Sequence, residues 1–232
     1  MEIIFIRHGE PDWTPGDRAV NDPGLTERGA EQARRVAERF RGVDVDHLWV
    51  SPARRAQETA APLIEALQME PVVHDWLVEA ATPDWEGQPS AVIRELLVSG
   101  RTRSVTQWWD GLPEGESLTE FVARVGAGLE ATLAGLGARR GSISDDVGLW
   151  EALPKQGRIL AVCHAGTTGA AVSHLLGVAQ VPWAWERFSV RHATVTRLTT
   201  VPIANGAIFS LRSLSDDTHL EGVKEPSREV LP

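Results

Sequence analysis

Four short apolar runs each stop at, or just before, a residue able to do chemistry, and this pattern constrains the fold more than any other feature of the sequence. Ile3–Ile6 reads as a buried strand and ends on Arg7 and His8. "HLWV" (His47–Val50) reads as a second, followed by Ser51-Pro52 as N-cap and first helical residue, with Arg55 in the first turn. "PVVH" (Pro71–His74) reads as a third, with Glu79 beyond it, and "RILAVC" (Arg158–Cys163) as a fourth, ending on His164. Between these runs the apolar period changes to that of a helix. Ala30, Ala33, Val36, Ala37 and Phe40 share one face, as do Ala56, Ala60, Leu63, Ile64 and Leu67. A further helix, rich in small residues, is expected over Gly166–Leu176.

Strands alternating with helices predict an α/β fold, a mainly parallel central sheet with helices on both faces. Ligands of such sheets bind beyond the carboxyl ends of the strands. Arg7, His8, Arg55, Glu79 and His164 are therefore expected to share one crevice. Elsewhere, residues 80–115 read as an inserted cap, and Ser117 with Glu120 as a capping box. Leu118, Phe121, Val122, Val125, Leu129 and Leu133 follow on one helical face. Residues 141–157 read as a surface excursion. "ATVTRLTTV" and "AIFSLRSL" read as antiparallel strands, and residues 213–232 as a polar tail. One domain over residues 1–212, with 80–115 inserted in it, is the expected organisation.

The bulk numbers narrow the function. A net charge of −9 with no basic patch argues against nucleic acid as partner. Lys155 and Lys224 are the only lysines, so nearly every cation is an arginine, the side chain suited to gripping phosphate or carboxylate with two bonds. Cys163 is the only cysteine, so no internal disulfide is expected. With no secretory signal read after Met1 and no apolar run near ~18 residues, no membrane association and a cytoplasmic location are expected. A homodimer is compatible with the sequence.

Two histidines and two arginines at strand ends suit an anion with a reacting centre. Arg7 and Arg55 are a candidate clamp for phosphoryl oxygens. A neutral imidazole is a competent nucleophile toward phosphorus, which suggests His8, while His164, if protonated, would stabilise charge on the phosphoryl oxygens. Glu79 is a candidate proton donor to the leaving oxygen, with Asp84 and Glu86 as nearby rivals. The helix expected to start near Gly166 would add its N-terminal partial charge.

"RHGE" at the first strand's end, "SPARRAQETA" (Ser51–Ala60) and "VCHAG" (Val162–Gly166) resemble the histidine phosphatase superfamily, which includes the cofactor-dependent phosphoglycerate mutases and many phosphomonoester phosphatases. "DPGLTERGAEQA", "LVEAATPDWEG" and "GESLTEFVARV" match further stretches, so the resemblance runs from residue 1 to about 200. It implies that His8 is the phosphorylated nucleophile, that Arg7, Arg55 and His164 complete the phosphate pocket, and that Glu79 is the acid. The register picks Arg55 over Arg54. Thr14 stands where many members carry Asn and is a candidate phosphate contact. Ala165 replaces a common Gly. The run "E-R-H-Y-G" of the mutases is missing, which argues for a phosphatase.

Competing motifs fall away. A cysteine-phosphatase site needs an arginine six residues after the cysteine, where this chain has Gly169. "GAGLEA" (Gly126–Ala131) imitates a dinucleotide fingerprint but lies inside an amphipathic helix. Neither lysine follows a glycine-rich loop. His47, His74, His192 and His219 lack metal spacing, so no metal is assigned, and His174 is expected to pack or face solvent. Trp85, Trp108 and Trp109 are either packing for the cap or an apolar lid. The expected function is a phosphomonoester hydrolase acting on a small phosphate ester, without metal or cofactor. The alternatives are a phosphoglycerate-type mutase and a non-catalytic binding module.

Overall fold

In the first strand, β1 (Glu2–Arg7), successive side chains point to opposite faces, and both faces are apolar. Ile3 and Phe5 enter one core; Ile4 and Ile6 enter another. A strand buried on both faces must lie inside a covered sheet. The computed structural model describes residues 1–141, 149–153, 157–183 and 187–223. There β1 runs parallel to β6 (Arg158–Cys163), which in turn runs parallel to β2 (His47–Val50). The two-residue β3 (Val72–Val73) pairs parallel on the outer side of β2.

On the other side of β1 the direction reverses. β7 (Val195–Ile203) pairs with it antiparallel, followed by β8 (Gly206–Asp216), β5 (Trp150–Ala152) and β4 (Arg139–Arg140). The sheet order is β3-β2-β6-β1-β7-β8-β5-β4, so a parallel half joins an antiparallel half at β1. The fold is α/β with helices on both faces. α1 (Glu27–Phe40) and α2 (Arg54–Leu67) cover the Ile4/Ile6 face, while α5 (Leu118–Gly135) and α6 (Ala165–Leu176) cover the other.

α1 starts at Thr26, whose hydroxyl accepts from the Gly29 N–H. α5 starts at the expected capping box of Ser117 and Glu120 and buries Leu118, Phe121, Val125, Leu129 and Leu133. α3 (Ser90–Gly100) and α4 (Val105–Trp109) lie within residues 80–115, and α3 buries none of its residues. Trp108 and Trp109 pack partly buried against the α5/α6 core.

Three expectations change. α2 begins at Arg54 with Ala53 as its N-cap, so Ser51 does not cap it. Trp150 is buried within the expected surface excursion and pairs with Ala207, which makes 150–152 a sheet strand. Residues 142–148 and 154–156 of that excursion lie outside the described residues. Ser213 is still strand: β8 continues to Asp216, where the carboxylate takes the Arg39 guanidinium at 2.7 Å. Residues 224–232 of the expected tail lie outside the described residues.

Candidate active site

β1 ends with Arg7, and the next residue, His8, is almost fully withdrawn from water. Parallel register sets Arg7 opposite Cys163, so His164 comes off β6 at the same level as His8. Their rings lie edge to face with centroids 5.1 Å apart. β2 in turn aligns Val50 with Val162. The chain leaving β2 therefore delivers Ser51 and the first turn of α2, with Arg55, to the same place.

The Nδ1–H of His8 donates to the Gly9 carbonyl at 2.7 Å. That fixes the tautomer and leaves the Nε2 lone pair free. Burial first, and then the neighbouring His164, Arg7, Arg55 and His192, push the His8 pKa well below its ordinary value. The ring is thus neutral, the nucleophilic form.

His164 is fully buried, and its Nε2 lies 2.8 Å from the Ser51 hydroxyl. Among the described residues that buried hydroxyl has no other acceptor for its proton, so it donates to Nε2 and the imidazole proton sits on Nδ1. Burial, Arg55 and Arg7 hold His164 neutral as well. The expected cationic His164 is therefore replaced, in the free protein, by a neutral ring that offers an N–H. Ser51, read from sequence as a helix cap, positions that ring instead.

Arg7 is held by two bonds, from Nη1 to the Val190 carbonyl at 2.7 Å and from Nη2 to His192 Nε2 at 2.9 Å. Its pKa is brought down to about 10 by burial, against the pull of Glu79 and with Arg55 adding to the fall. Arg55 is buried under the Trp13 ring, with its guanidinium carbon 4.8 Å from the ring centroid, and lies 3.5 Å from the exposed Asp22 carboxylate. Arg54 is exposed and pairs with Glu58.

Three donors around His8 lack an acceptor among the described residues: Arg7 Nε, Arg55 Nε and His164 Nδ1. Buried donors are seldom left unpaired, and each costs about 1–3 kcal/mol if nothing accepts from it. Three of them in one crevice, two carried by cations, describe a seat for an anion.

Glu79 stands at this crevice. Its Oε2 accepts from the Gly166 N–H at 2.8 Å and its Oε1 from the Ala80 N–H at 3.1 Å. The carboxylate thus occupies a first-turn N–H of α6, the helix whose N-terminus was expected to add its partial charge to the crevice. Position 166 must be glycine for this approach, since a Cβ there would meet Glu79 Oε1. The rival acids are elsewhere: Asp84 and Glu86 bond Asn21 on the exposed rim, at 2.7 and 2.9 Å. Thr14 is half-buried at the start of a short 3-10 turn, Pro15–Asp17, and its side chain makes no capping bond. The residue that sequence reasoning missed is His192, whose ring centroid is 5.5 Å from that of His8.

The family model for the histidine phosphatase superfamily (branch 1) matches residues 3–206. The chain belongs to the histidine phosphatase superfamily. Among curated relatives, the probable phosphoglycerate mutase GpmB of Proteus mirabilis is 26% identical over 229 residues, covering 96% of each chain. Among solved structures, a mycobacterial glucosyl-3-phosphoglycerate phosphatase superposes with a TM-score of 0.69 at 22% identity, covering 93% of this chain and 99% of that one. The α-ribazole phosphatase of Shigella flexneri gives 0.70 at 22% identity, covering 93% and 96%. These last two likenesses establish the fold. No helix among the described residues of this chain is long and apolar enough to cross a membrane, and no cluster of three or more His, Cys, Asp or Glu side chains among them is placed to hold a metal ion.

Proposed function

We propose that this histidine phosphatase hydrolyses a small phosphate monoester through a phosphohistidine on His8, without a metal. The observation that carries the reading is the trio of orphan donors, Arg7 Nε, Arg55 Nε and His164 Nδ1, around a neutral His8 with a free Nε2. A phosphoryl group supplies the acceptors those donors lack, and two fixed guanidiniums provide the charge that a metal would otherwise bring.

In the first step the Nε2 lone pair of His8 bonds to phosphorus and the bond to the ester oxygen breaks. Glu79, from its carboxylic acid form, gives that oxygen its proton, and the alcohol departs. In the second step Glu79, now a carboxylate, takes a proton from water. The resulting hydroxide bonds to phosphorus, the phosphorus–nitrogen bond breaks, and His8 returns to the neutral ring. Arg7, Arg55 and His164 hold the three phosphoryl oxygens through both displacements. Cys163 takes no part: it is buried, and burial pushes its thiol up to about 12.

The relatives named as probable phosphoglycerate mutases favour one further reading, in which phospho-His8 passes its phosphoryl group to a second hydroxyl. Assays with a panel of phosphate monoesters, including 3-phosphoglycerate with and without a bisphosphate primer, separate the two. Hydrolysis with release of inorganic phosphate, persisting after exhaustive chelation, is the expected result. Primer-dependent isomerisation without phosphate release would transfer the assignment to the mutases.

A further inference from the structure

His192 belongs to no strand-end motif, yet the backbone holds it against the nucleophile. Ala193 N–H donates to the His8 carbonyl at 3.1 Å, and Arg7 N–H donates to the Thr194 carbonyl at 3.3 Å. Ala193, fully buried, has φ of +55°. An alanine in the left-handed region costs on the order of 1 kcal/mol and persists only where the surroundings enforce it. This turn delivers the ring of His192 beside His8 and its Nε2 to Arg7 Nη2 at 2.9 Å.

A guanidinium has no lone pair to offer, so Nε2 must be the acceptor and the imidazole proton must be on Nδ1. Protonating His192 would break the bond to Arg7 and set two cations face to face. Burial, then Arg7 and Arg28, accordingly bring its pKa down to about 3. The bond also decides what Arg7 has left to offer. With Nη1 on Val190 and Nη2 on His192, the guanidinium plane is fixed, and its wholly unpaired Nε–H, with the second N–H of each Nη, is left for the ligand. An aspartate or glutamate in the same place would hold the plane equally well, but its negative charge would offset the charge that the phosphoryl group needs.

We infer that His192 is a positioning residue of the phosphoryl pocket, a neutral acceptor that orients Arg7 without cancelling its charge. The role rests on the phosphoryl-transfer reading above.

The test uses the full chain and three substitutions, with orthovanadate as the probe, since it mimics the phosphoryl group in transfer. His192→Leu removes the acceptor and should raise the inhibition constant for orthovanadate, and lower kcat/KM, by about tenfold, the scale of one charge-assisted hydrogen bond. His192→Gln keeps a neutral acceptor near the position of Nε2 and should recover to within about threefold of wild type. His192→Glu keeps an acceptor but adds a negative charge, and it should bind orthovanadate more weakly than His192→Leu does. Nitrogen-15 NMR of wild type at neutral pH should show His192 protonated on Nδ1 and bare on Nε2. Because Gln and Glu are polar, hydrogen-bonding replacements, the comparison survives even if the Leu variant fails to fold. Equal losses in Gln and Leu, unchanged orthovanadate binding in all three, or an Nε2–H tautomer would overturn this role alone. A wild-type protein that neither binds orthovanadate nor hydrolyses any ester would overturn the phosphoryl reading and this role together.

Discussion

Glu2 at the start of β1 and Arg7 at its end are both charged and both largely withdrawn from water, yet only Glu2 has its charge matched in place. One oxygen of Glu2 takes Arg158 Nε at 2.5 Å, and the other takes Arg197 Nε. Burial pushes the Glu2 carboxyl up, but those bonds outweigh it and hold it below its ordinary range. At the far end Arg7 and Arg55 stand together. Among the described residues no carboxylate comes closer to Arg55 than Asp22 at 3.5 Å, and Arg7 makes no salt bridge. A buried charge that the chain itself neutralises serves folding. Buried charges left with spare donors are kept for something from outside, at a cost to stability that the rest of the fold offsets. The difference between strand ends, more than the presence of histidine or arginine, marks one end as the site.

Removing the proposed nucleophile should break the comparison most severely. His8→Ala should lower turnover by about 10⁴-fold or more, since loss of a covalent nucleophile leaves only binding and electrostatic stabilisation. A quenched reaction with labelled ester should trap an acid-labile, base-stable phosphoprotein in wild type and none in the variant. Label that survives the substitution would move the nucleophile elsewhere.

Glu79 comes next. An alkoxide leaves poorly without a proton, whereas nitrophenolate hardly needs one. Glu79→Gln should therefore slow alkyl phosphates by about 10²–10⁴-fold and p-nitrophenyl phosphate far less. Asp84→Asn and Glu86→Gln should leave both rates within about twofold, because those carboxylates bond Asn21 at the rim. A selective loss in either rim variant would reassign the proton donor.

The arginines separate by a smaller factor. Arg55→Ala removes a buried guanidinium with a spare donor and should lower kcat/KM by roughly tenfold or more, about 1.5–3 kcal/mol. Arg54→Ala, exposed and paired with Glu58, should change it less than twofold. Glu2→Gln supplies the matching control at the other strand end: kcat/KM unchanged, the loss appearing in unfolding alone. If Glu2→Gln impaired turnover as much as Arg55→Ala, matched and unmatched ends would not divide structure from function.

Much of this was legible because a parallel strand fixes where its carboxyl end lies. Arg7 ends β1, His8 and His164 directly follow β1 and β6, and Arg55 falls in the first turn of the helix after β2. His192 was not legible, because β7 runs antiparallel to β1. Its amino end, not its carboxyl end, reaches the crevice, and only the sheet order reveals that. Ser51 misled for a local reason: Ser-Pro reads as a cap, yet the helix starts after Ala53 and frees the hydroxyl for His164. β4 and β5 span two and three residues, too short for an alternating pattern to register. The end of β8 was hidden because Ser213–Asp216 is polar except for Leu214 and partly exposed, and is held by pairing with β7 and by the Arg39 ion pair.

The smallest effect is a difference in how the two ends of β1 respond to acid. His8, His164 and His192 all have depressed pKa values, through burial first and neighbouring cations second. Below about pH 6.5 the unfolded chain protonates these histidines while the folded chain does not, so the unfolded state binds more protons and stability falls as pH drops. Each fully buried ring contributes at most about 1.4 kcal/mol per pH unit in that range. Glu2 behaves differently: its depressed carboxyl contributes stability that is present above the unfolded value near 4.5 and is lost only as pH falls through the lower folded value. Between about pH 6.5 and 4.5, then, acid weakens the crevice end while the Glu2 end still holds. Denaturant unfolding of wild type and His8→Ala across that range isolates one ring, because His74, His174 and His219, whose pKa values are also depressed, remain in both proteins. The variant should lose stability less steeply, by up to about 1.4 kcal/mol per pH unit, whereas Glu2→Gln should follow the wild-type slope until the pH nears 4.5. Parallel slopes for wild type and His8→Ala would mean that His8 takes up its proton in the folded chain over the same range as in the unfolded one, so that below about pH 6.5 its Nε2 would carry a proton in place of the lone pair that attack on phosphorus requires.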